Sequence, residues 1–207
     1  MIDITSHVNT VAEAIHTARQ DRARLLVAIA GAPASGKSTL AGEIGRRLRQ
    51  QKVRCEVVPM DGFHLDNGVL DTRGLRLRKG APETFDGMGF LNAMRRLSDG
   101  QEVVLPTFDR ARDLSVAGAL VVPAECQVIV VEGNYVLFNE RPWSQLEALW
   151  DIAVRIDVPV PELRARLIQR WLSHGLSRTA ATQRAERNDI PNALRVIEKP
   201  LKADFTL

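Results

Sequence analysis

The spacing of hydrophobic positions changes several times along the chain, and each change predicts a different secondary-structure element. The run RLLVAIA at 24–30 is almost entirely apolar, as expected for a strand that is covered on both faces. Residues 37–50 follow with apolar side chains every three or four positions, which predicts an amphipathic helix. Residues 53–58 alternate between apolar and polar side chains and predict a second strand.

The alternation of strands and helices continues to the end of the chain. A helix that contains Phe90 and Leu97 precedes the strand EVVLPTFD, which we expect to stop at Pro106. The remaining predicted elements are strands at 126–134 and 151–158, a helix to about Trp171, polar helical residues at 172–198 broken at Gly175 and Pro191, and a short terminal strand, ADFTL, that would close the sheet.

This order of elements predicts an α/β fold, with a parallel sheet and helices on both of its faces. No segment resembles a linker, so we expect residues 1–207 to form one domain. A Gly-, Asp- and Arg-rich segment from about 60 to 83 is too long to be a simple connection. Loops of that length inside compact domains are usually functional or mobile.

Composition and charge narrow the class of protein. Twenty-eight Lys and Arg against 25 Asp and Glu give a net charge of +3, which is too small an excess to indicate a nucleic-acid-binding surface. No apolar run is long enough to span a bilayer, and the first residues lack the features of a secretion signal. Cys55 and Cys126 lie in strand-like apolar runs, which favours two buried thiols over a disulfide. We therefore expect a cytoplasmic protein that neither binds nucleic acid nor inserts into membranes.

The segment GAPASGKST at 31–39 carries the strongest chemical signal in the sequence. It matches the pattern GxxxxGK[ST], which would arise by chance in a chain of this length about one time in a hundred. A predicted strand precedes it and a predicted helix begins within it, as a phosphate-binding P-loop requires. Backbone N–H groups and the helix N-terminus would hold the phosphates, Lys37 would reach the β- and γ-phosphates, and Ser38 would bind Mg²⁺.

A magnesium ion needs a second anchor, usually a carboxylate at the end of a neighbouring buried strand. Glu132 directly follows four apolar residues in VIVVEGN and would be costly to desolvate without a cation nearby. Asp157 ends another predicted strand and is a similar candidate, although an Asp before a proline-rich turn is also ordinary turn chemistry.

The rest of the sequence indicates what kind of molecule would receive the γ-phosphate of the bound nucleotide. A GTPase would need the guanine-binding pattern NKxD, and a transporter ATPase would need an LSGGQ-like signature, and the chain has neither. A small-molecule kinase needs a carboxylate base and cations that close over the γ-phosphate. Asp61 directly follows the second strand, where open α/β sheets bind ligands. Arg166 and Arg170, four residues apart, share a helix face and would supply the cations.

The segments MDGFHLDN and RKGAPETFD resemble the acceptor segment of the superfamily that contains uridine kinase, phosphoribulokinase and bacterial pantothenate kinase. The P-loop, LPTFDR, VVEGNY and the arginine-rich helix occur in that family's order, so the resemblance covers nearly the whole chain. A bacterial subgroup of kinases named for a fructose transport system is the most similar. The resemblance implies a P-loop NTPase three-layer sandwich with a mainly parallel central sheet.

The resemblance also implies a role for particular residues. Asp61 would be the catalytic base, assisted by Lys37 and Arg170, and the metal would lie at Ser38 and Glu132. A lid at about 164–190 would include Arg178. ATP would contact Gly31, Ala32, Pro33, Ala34, Ser35, Gly36, Lys37, Ser38, Thr39 and Arg166, and the acceptor would contact Asp61, Phe63, His64, Lys79, Phe85, Phe108, Asp109 and Arg112.

Several aromatic and polar residues allow two interpretations. His64 would either make an ordinary surface hydrogen bond or bind acceptor hydroxyls. The three tryptophans are expected to belong to the core rather than to stack on a base. Asn192 would either cap a helix or contact the nucleotide base.

These observations predict an ATP- and Mg²⁺-dependent kinase that phosphorylates a hydroxyl of a small metabolite, with a fructose-like sugar as the expected acceptor. The alternatives are a nucleoside or pantothenate-type kinase and an ATP-binding regulatory module that transfers nothing. The motif PTFDR departs from nucleoside kinases, in which a tyrosine follows the proline. A homodimer is compatible with the sequence.

Overall fold

A parallel five-stranded sheet organises the computed structural model, which describes residues 4–207. Its strand order is β2-β5-β1-β6-β7, and helices cover both faces. This arrangement is the α/β fold that the sequence predicts. The strands are β1 Leu25–Gly31, β2 Cys55–Pro59, β3 Val103–Asp109, β4 Leu114–Val122, β5 Val128–Gly133, β6 Ile152–Ile156 and β7 Phe205–Thr206; the helices are α1 Thr5–Ala18, α2 Lys37–Gln50, α3 Asn67–Thr72, α4 Gly87–Ser98, α5 Val160–Ser173, α6 Arg178–Arg184 and α7 Ile190–Glu198.

Strand β1 is apolar throughout because its alternate residues enter two different cores. Leu26, Ala28 and Ala30 pack in the cluster that contains the buried side of α4. The residues between them pack in the cluster formed with α1 and α2. Every residue of β1 is buried, so the strand fixes the position of the P-loop that follows it.

The P-loop elements lie where the sequence predicts them. Helix α2 begins at Lys37 and ends at Gln50, and its buried residues form the predicted stripe. The terminal strand β7 pairs with β6 in parallel and extends the sheet. The segment 60–83 is not one long loop, because it contains the short helix α3, which Asp66 caps by accepting a hydrogen bond from the Gly68 N–H.

The strand around Pro106 differs from the prediction. Strand β3 does not stop there but continues to Asp109 and pairs with β4 in an antiparallel hairpin outside the main sheet. The register shifts between Leu105 and Thr107, and this irregularity accommodates a proline that cannot donate a hydrogen bond. The sequence analysis does not predict β4 at all.

The helical region after β6 also differs in part. The predicted break at Gly175 is confirmed, since this glycine adopts a φ of 85° between α5 and α6. The predicted break at Pro191 is wrong. A π-helical turn, Ala185–Asp189, joins α6 directly to α7, and Pro191 lies in the first turn of α7, where its missing N–H is tolerated.

The cysteine prediction is confirmed: Cys55 and Cys126 are buried and free, and burial raises the pKa of Cys55 to about 12. Of the tryptophans, Trp143 lies in the core and Trp150 packs against it. Within residues 4–207, every helix is too short or too polar to cross a bilayer.

Arg24 connects several chain segments at the end of the sheet that lies opposite the P-loop. Its guanidinium, placed just before β1, donates five hydrogen bonds of 2.6–3.0 Å to backbone carbonyls. These carbonyls belong to the last turn of α4 and to the α4–β3 and β4–β5 connections. The acceptors are Leu97, Gln101, Pro123, Ala124 and Cys126. The planar fork of arginine satisfies all five oxygens at once, which a lysine cannot do.

We predict that Arg24→Lys lowers the free energy of unfolding by about 2–4 kcal/mol, because several partly buried carbonyls lose their donors. Arg22→Ala is the control, since Arg22 pairs with Asp151 while most of its side chain is exposed, and loss of such a pair costs about 1 kcal/mol or less. Urea unfolding measures both. Equal stabilities for the two variants would contradict the role given to Arg24.

Candidate active site

The P-loop lies at the carboxyl end of β1 and has the backbone that phosphate binding needs. Gly36 adopts a left-handed φ of 98°, which a side chain would disfavour. A Cβ on Gly31 would lie 2.4 Å from the Oγ of Ser35, so the turn closes only with glycine there. Lys37 and Ser38 then start helix α2. The N–H groups of this first helical turn are therefore available to an anion.

Glu132 and Ser38 meet at the end of two adjacent parallel strands. The Ser38 hydroxyl donates to Glu132 Oε1 at 3.0 Å, and β5 places Glu132 beside Ile29 of β1. Burial raises the pKa of Glu132, and the charge of Lys37 opposes that rise. Burial lowers the pKa of Lys37, and Glu132 and Asp61 oppose that change. A buried carboxylate beside a hydroxyl offers two oxygen ligands to a divalent cation, and the neighbouring lysine would bind the phosphate that shares this cation.

Residues 4–207 contain no cluster of three or more His, Cys, Asp or Glu that could hold a metal ion by themselves. A metal at Ser38 and Glu132 would therefore need oxygen ligands from a phosphate and from water. Mg²⁺ is usually bound in this way, through one or two protein oxygens and substrate phosphates.

A cavity of about 150 Å³ lies between the P-loop, the segment after β2, the β3–β4 hairpin and the helices after β6. Seven of the predicted site residues line it, namely Pro33, Lys37, Asp61, His64, Lys79, Phe108 and Arg170. The structure thus brings together groups from five separate parts of the sequence.

Asp61 lies in the short helical turn after β2 and lines this cavity. Its carboxylate Oδ2 accepts a hydrogen bond of 2.7 Å from the guanidinium of Arg110. Arg110 belongs to the turn between β3 and β4 and was not among the predicted site residues, although it is the last residue of LPTFDR. The sequence analysis selected Arg112 from the same turn instead.

His64 is held as one layer of an aromatic stack. Its ring lies 4.0 Å from that of Phe85 and 4.6 Å from that of Phe108, measured between centroids. Its Nδ1 is 2.7 Å from the carbonyl oxygen of Asp61, so Nδ1 carries the proton and donates it. Burial lowers the pKa of His64, which keeps the ring neutral at pH 7. Of its two predicted roles, the surface hydrogen bond does not fit this position in the cavity wall.

Lys79 is occupied by protein groups. Its ammonium donates to Asn67 Oδ1 and to both the carbonyl and the Oδ1 of Asp113, at 2.7–2.9 Å, and lies 5.0 Å from the centre of the Phe108 ring. All three of its protons therefore have acceptors. Lys79 ties the acceptor segment to the hairpin, and this differs from the direct acceptor contact that the resemblance implies.

Four other predicted acceptor residues lie beside the cavity rather than in its lining. Phe63 packs against Phe90 in the core, and Phe85 is buried behind His64. The Asp109 carboxylate accepts from the N–H groups of Ala111 and Arg112 and shapes the hairpin turn. Arg112 is 69% exposed and pairs with Asp109.

The lid arginines differ from one another in position. Arg170 lines the cavity with Lys37, and burial lowers its pKa, with a further lowering from the charge of Arg110. Arg166 donates to the carbonyls of Ala34 and Ser35 at 3.2 Å and so braces the P-loop. Arg178 begins α6 and is not part of the cavity lining.

The sequence analysis missed several residues of the lining. Trp171, expected in the core, donates its indole N–H to Asp189 Oδ2 at 2.5 Å and faces the cavity between two arginines, Arg170 and Arg184. Burial raises the pKa of Asp189. Asp113 and Asn134 also line the cavity, as does Asn192, for which the sequence predicts either a helix cap or a contact with the nucleotide base. The π-helical turn that brings Asp189 there has no local sequence signal.

A second cavity, of about 790 Å³, meets the P-loop at Ser35, Gly36 and Thr39. Arg166 and residues 156–159 line another of its sides. Ile4, Val8 and Leu207 form an apolar part of its wall, and polar side chains of α1 and α2 contribute the rest. The P-loop therefore separates a small polar cavity from a larger one that is partly apolar.

Comparisons with known proteins agree with this geometry. The chain is 36% identical over 195 residues to the protein YggC of Escherichia coli, an alignment that covers 93% of this chain and 80% of YggC. It is 32% identical over 216 residues to a provisionally named uridine kinase of Schizosaccharomyces pombe, covering 99% of this chain and 91% of the yeast protein.

A crystal structure of a provisionally named fructose transport system kinase from Silicibacter sp. TM1040 superposes with a TM-score of 0.92 and 47% identity, covering 97% of this chain and 98% of that one. The sequence profile of one family, Phosphoribulokinase / Uridine kinase, matches residues 26–203. The matched range includes the P-loop, Asp61, Glu132 and the lid arginines. The chain therefore belongs to the Phosphoribulokinase / Uridine kinase family and is a P-loop kinase that phosphorylates an alcohol group of a small molecule.

Proposed function

We propose that this kinase uses ATP and Mg²⁺ to phosphorylate a hydroxyl of a small sugar, acting as one domain over residues 1–207. The observation that carries the proposal is the small polar cavity in which Lys37, Asp61 and Arg170 converge. The segment at about 60–83 would supply the acceptor side, and the lid at about 164–190 would close over it.

ATP would occupy the larger cavity, which adjoins the P-loop. Its phosphates would lie on the N–H groups at the start of α2, and its base and ribose would extend along Thr39 toward the apolar wall. Arg166 borders the same cavity and would contact the nucleotide while it braces the P-loop.

The acceptor cavity favours a small polyhydroxylated molecule. Its volume of about 150 Å³ is well below the ~300–1,000 Å³ of pockets that enclose drug-sized ligands. The rings of His64, Phe108 and Trp171 offer flat apolar surfaces, while Asp61 and Asn134 offer oxygen acceptors. A ring with hydroxyls at its edge matches this mixture better than a nucleoside or pantothenate, which are larger.

The transfer would use the cavity residues in distinct roles. Asp61 would accept the proton of the acceptor hydroxyl as its oxygen forms a bond to the γ-phosphorus and the bond to the β-phosphate oxygen breaks. Lys37 and Arg170 would balance the charge that spreads over the transferred group. ADP and a phosphorylated acceptor are the products.

Ser38 and Glu132 would hold the magnesium ion. Bound there, Mg²⁺ would neutralise charge on the β- and γ-phosphates. The buried carboxylate of Glu132 fits this role because a bound cation would add to the charges of Lys37 and Arg110 and to the Ser38 hydrogen bond in offsetting the cost of its burial.

The experiments must distinguish the proposed sugar kinase from two alternatives. A nucleoside or pantothenate-type acceptor is consistent with the family, and it would require the acceptor cavity to widen. A regulatory module that binds ATP without transfer would not need Asp61 in the same cavity as Lys37, and the structure has both there.

We predict that ADP release with ATP and Mg²⁺ alone is slow, and that a small sugar accelerates it well above this background. The physical reason is that the acceptor completes a closed site from which water is excluded. A steady-state ADP assay across sugars, nucleosides and pantothenate measures the effect. Fast hydrolysis that no compound changes would favour an ATPase, and stimulation by a nucleoside alone would overturn the sugar assignment.

Asp61→Asn should reduce phosphoryl transfer by about 10²–10⁴, the usual contribution of a general base. ATP affinity should stay the same, because the carboxylate faces the acceptor rather than the nucleotide. Isothermal calorimetry with ATP and Mg²⁺ provides the second measurement. A collapse of ATP affinity together with turnover would show that Asp61 binds the metal.

Glu132→Gln should make ATP affinity insensitive to Mg²⁺, since the amide keeps the shape of the side chain but binds the cation poorly. The measurement is calorimetry of ATP with Mg²⁺ and with EDTA, and Asp61→Asn is the control that retains the magnesium effect. An unchanged magnesium effect in Glu132→Gln would assign the metal to another carboxylate.

A further inference from the structure

Arg110 holds an unusual position, because it is hydrogen-bonded to the residue proposed as the base. Its Nη2 lies 2.7 Å from Asp61 Oδ2, and both side chains line the acceptor cavity. In this arrangement one carboxylate oxygen of Asp61 already accepts a strong hydrogen bond. An acceptor hydroxyl must compete with Arg110 for that oxygen.

The neighbouring positive charges affect the pairing of Arg110 with Asp61. Arg110, Lys37 and Arg170 all line this cavity, so the three cations repel one another within reach of the same space. Such a group of cations becomes favourable beside the charge that spreads over a phosphoryl group during its transfer. Once an acceptor has taken its place on Asp61, Arg110 therefore has a second partner available, the transferred phosphoryl group.

The turn that carries Arg110 is fixed while its side chain is exposed. Lys79 bonds to Asp113 in this turn, and the Ser115 hydroxyl donates to the carbonyl of His64 at 2.9 Å. The Arg110 side chain is nevertheless 55% exposed, compared with 22% for Asp61. A long side chain on a fixed backbone can change partners without moving the hairpin.

We propose that Arg110 is a positioning residue that controls access to Asp61. Without an acceptor it holds carboxylate oxygen Oδ2 and limits the activation of water by Asp61. The acceptor hydroxyl displaces it, and the released guanidinium then lies beside the transferred phosphoryl group and balances its charge. The inference rests on the proposed role of Asp61 in phosphoryl transfer.

An acceptor gains enough free energy on binding to displace Arg110 from Asp61, whereas a single water molecule does not. A partly exposed ion pair contributes about 1 kcal/mol or less. A sugar that binds with a millimolar dissociation constant gains about 4 kcal/mol through several hydrogen bonds and ring contacts. A water molecule makes one of these hydrogen bonds and loses freedom in doing so. Arg110 would thus discriminate between the acceptor and water.

The test measures two rates that one substitution of Arg110 should change in opposite directions. Arg110→Met should raise ATP hydrolysis without acceptor about three- to fivefold, the factor that corresponds to loss of a surface ion pair. The same variant should lower acceptor-dependent transfer by about 10²-fold, the usual loss when a charge-stabilising group is removed. Arg110→Lys should restore part of the transfer. A structural defect would lower both rates together.

Arg22→Met is the matched control, because Arg22 is an exposed arginine that pairs with an aspartate, Asp151, and lies outside the linings of both cavities. It should leave both rates unchanged. The double variant Asp61→Asn/Arg110→Met should show no rise in hydrolysis above Asp61→Asn alone, since the rise requires the freed carboxylate. Thermal unfolding confirms that each variant is folded.

Hydrolysis that falls or stays constant in Arg110→Met, or a rise that persists in the double variant, would overturn the proposal. The hydrolysis measurement needs no acceptor, so it remains decisive if every sugar proves inactive. In that case the sugar assignment fails while a rise that depends on Asp61 still supports the role of Arg110.

Discussion

The parallel pairing of β2, β5 and β1 is the constraint on which the site depends. Adjacent parallel strands end at the same edge of a sheet, so the residues that follow them meet in space although they are far apart in sequence. Lys37 follows β1, Asp61 follows β2 and Glu132 lies near the end of β5. Strand β1 is buried on both faces, which fixes its position in the sheet. The positions of the phosphate-binding turn and of both carboxylates follow from the positions of these strand ends.

A polar chain connects the parts of the site that lie outside the sheet. Asn188, in the π-helical turn, donates to the carbonyl of Lys79 at 2.9 Å, and the Lys79 ammonium bonds to Asp113 in the hairpin. Arg184 adds a bond to the carbonyl of Leu77. The predicted lid, the segment after β2 and the hairpin are thus linked through one residue, Lys79, whose backbone carbonyl accepts from Asn188 and whose ammonium bonds to Asp113. A movement of the lid would be transmitted to the walls of the acceptor cavity.

The sequence predicts best what depends on local pattern and on strand order. The P-loop, the start of α2 at Lys37 and the buried strands follow from glycine spacing and hydrophobic period, and the burial of Glu132 follows from the apolar run before it. The hairpin is less predictable, because β4 is only partly buried and has no clear alternation. Which arginine of its turn points inward depends on the turn geometry, so Arg112 was chosen where Arg110 enters the cavity. Trp171 was assigned to the core because its hydrophobic character is visible in sequence and its hydrogen bond to Asp189 is not.

The two ends of the sheet differ in how they tolerate substitutions, and the hydrogen bonds of Arg24 fix one of these ends. One edge of the sheet is fastened by a single guanidinium to two connecting loops, and it contains no residue of the cavity. The opposite edge carries the acceptor walls on a hairpin and helices outside the sheet. Substitutions in those walls change few contacts of the two hydrophobic cores. A family built on this plan can exchange one acceptor for another during evolution while the phosphate-binding machinery and the stability of the sheet stay the same.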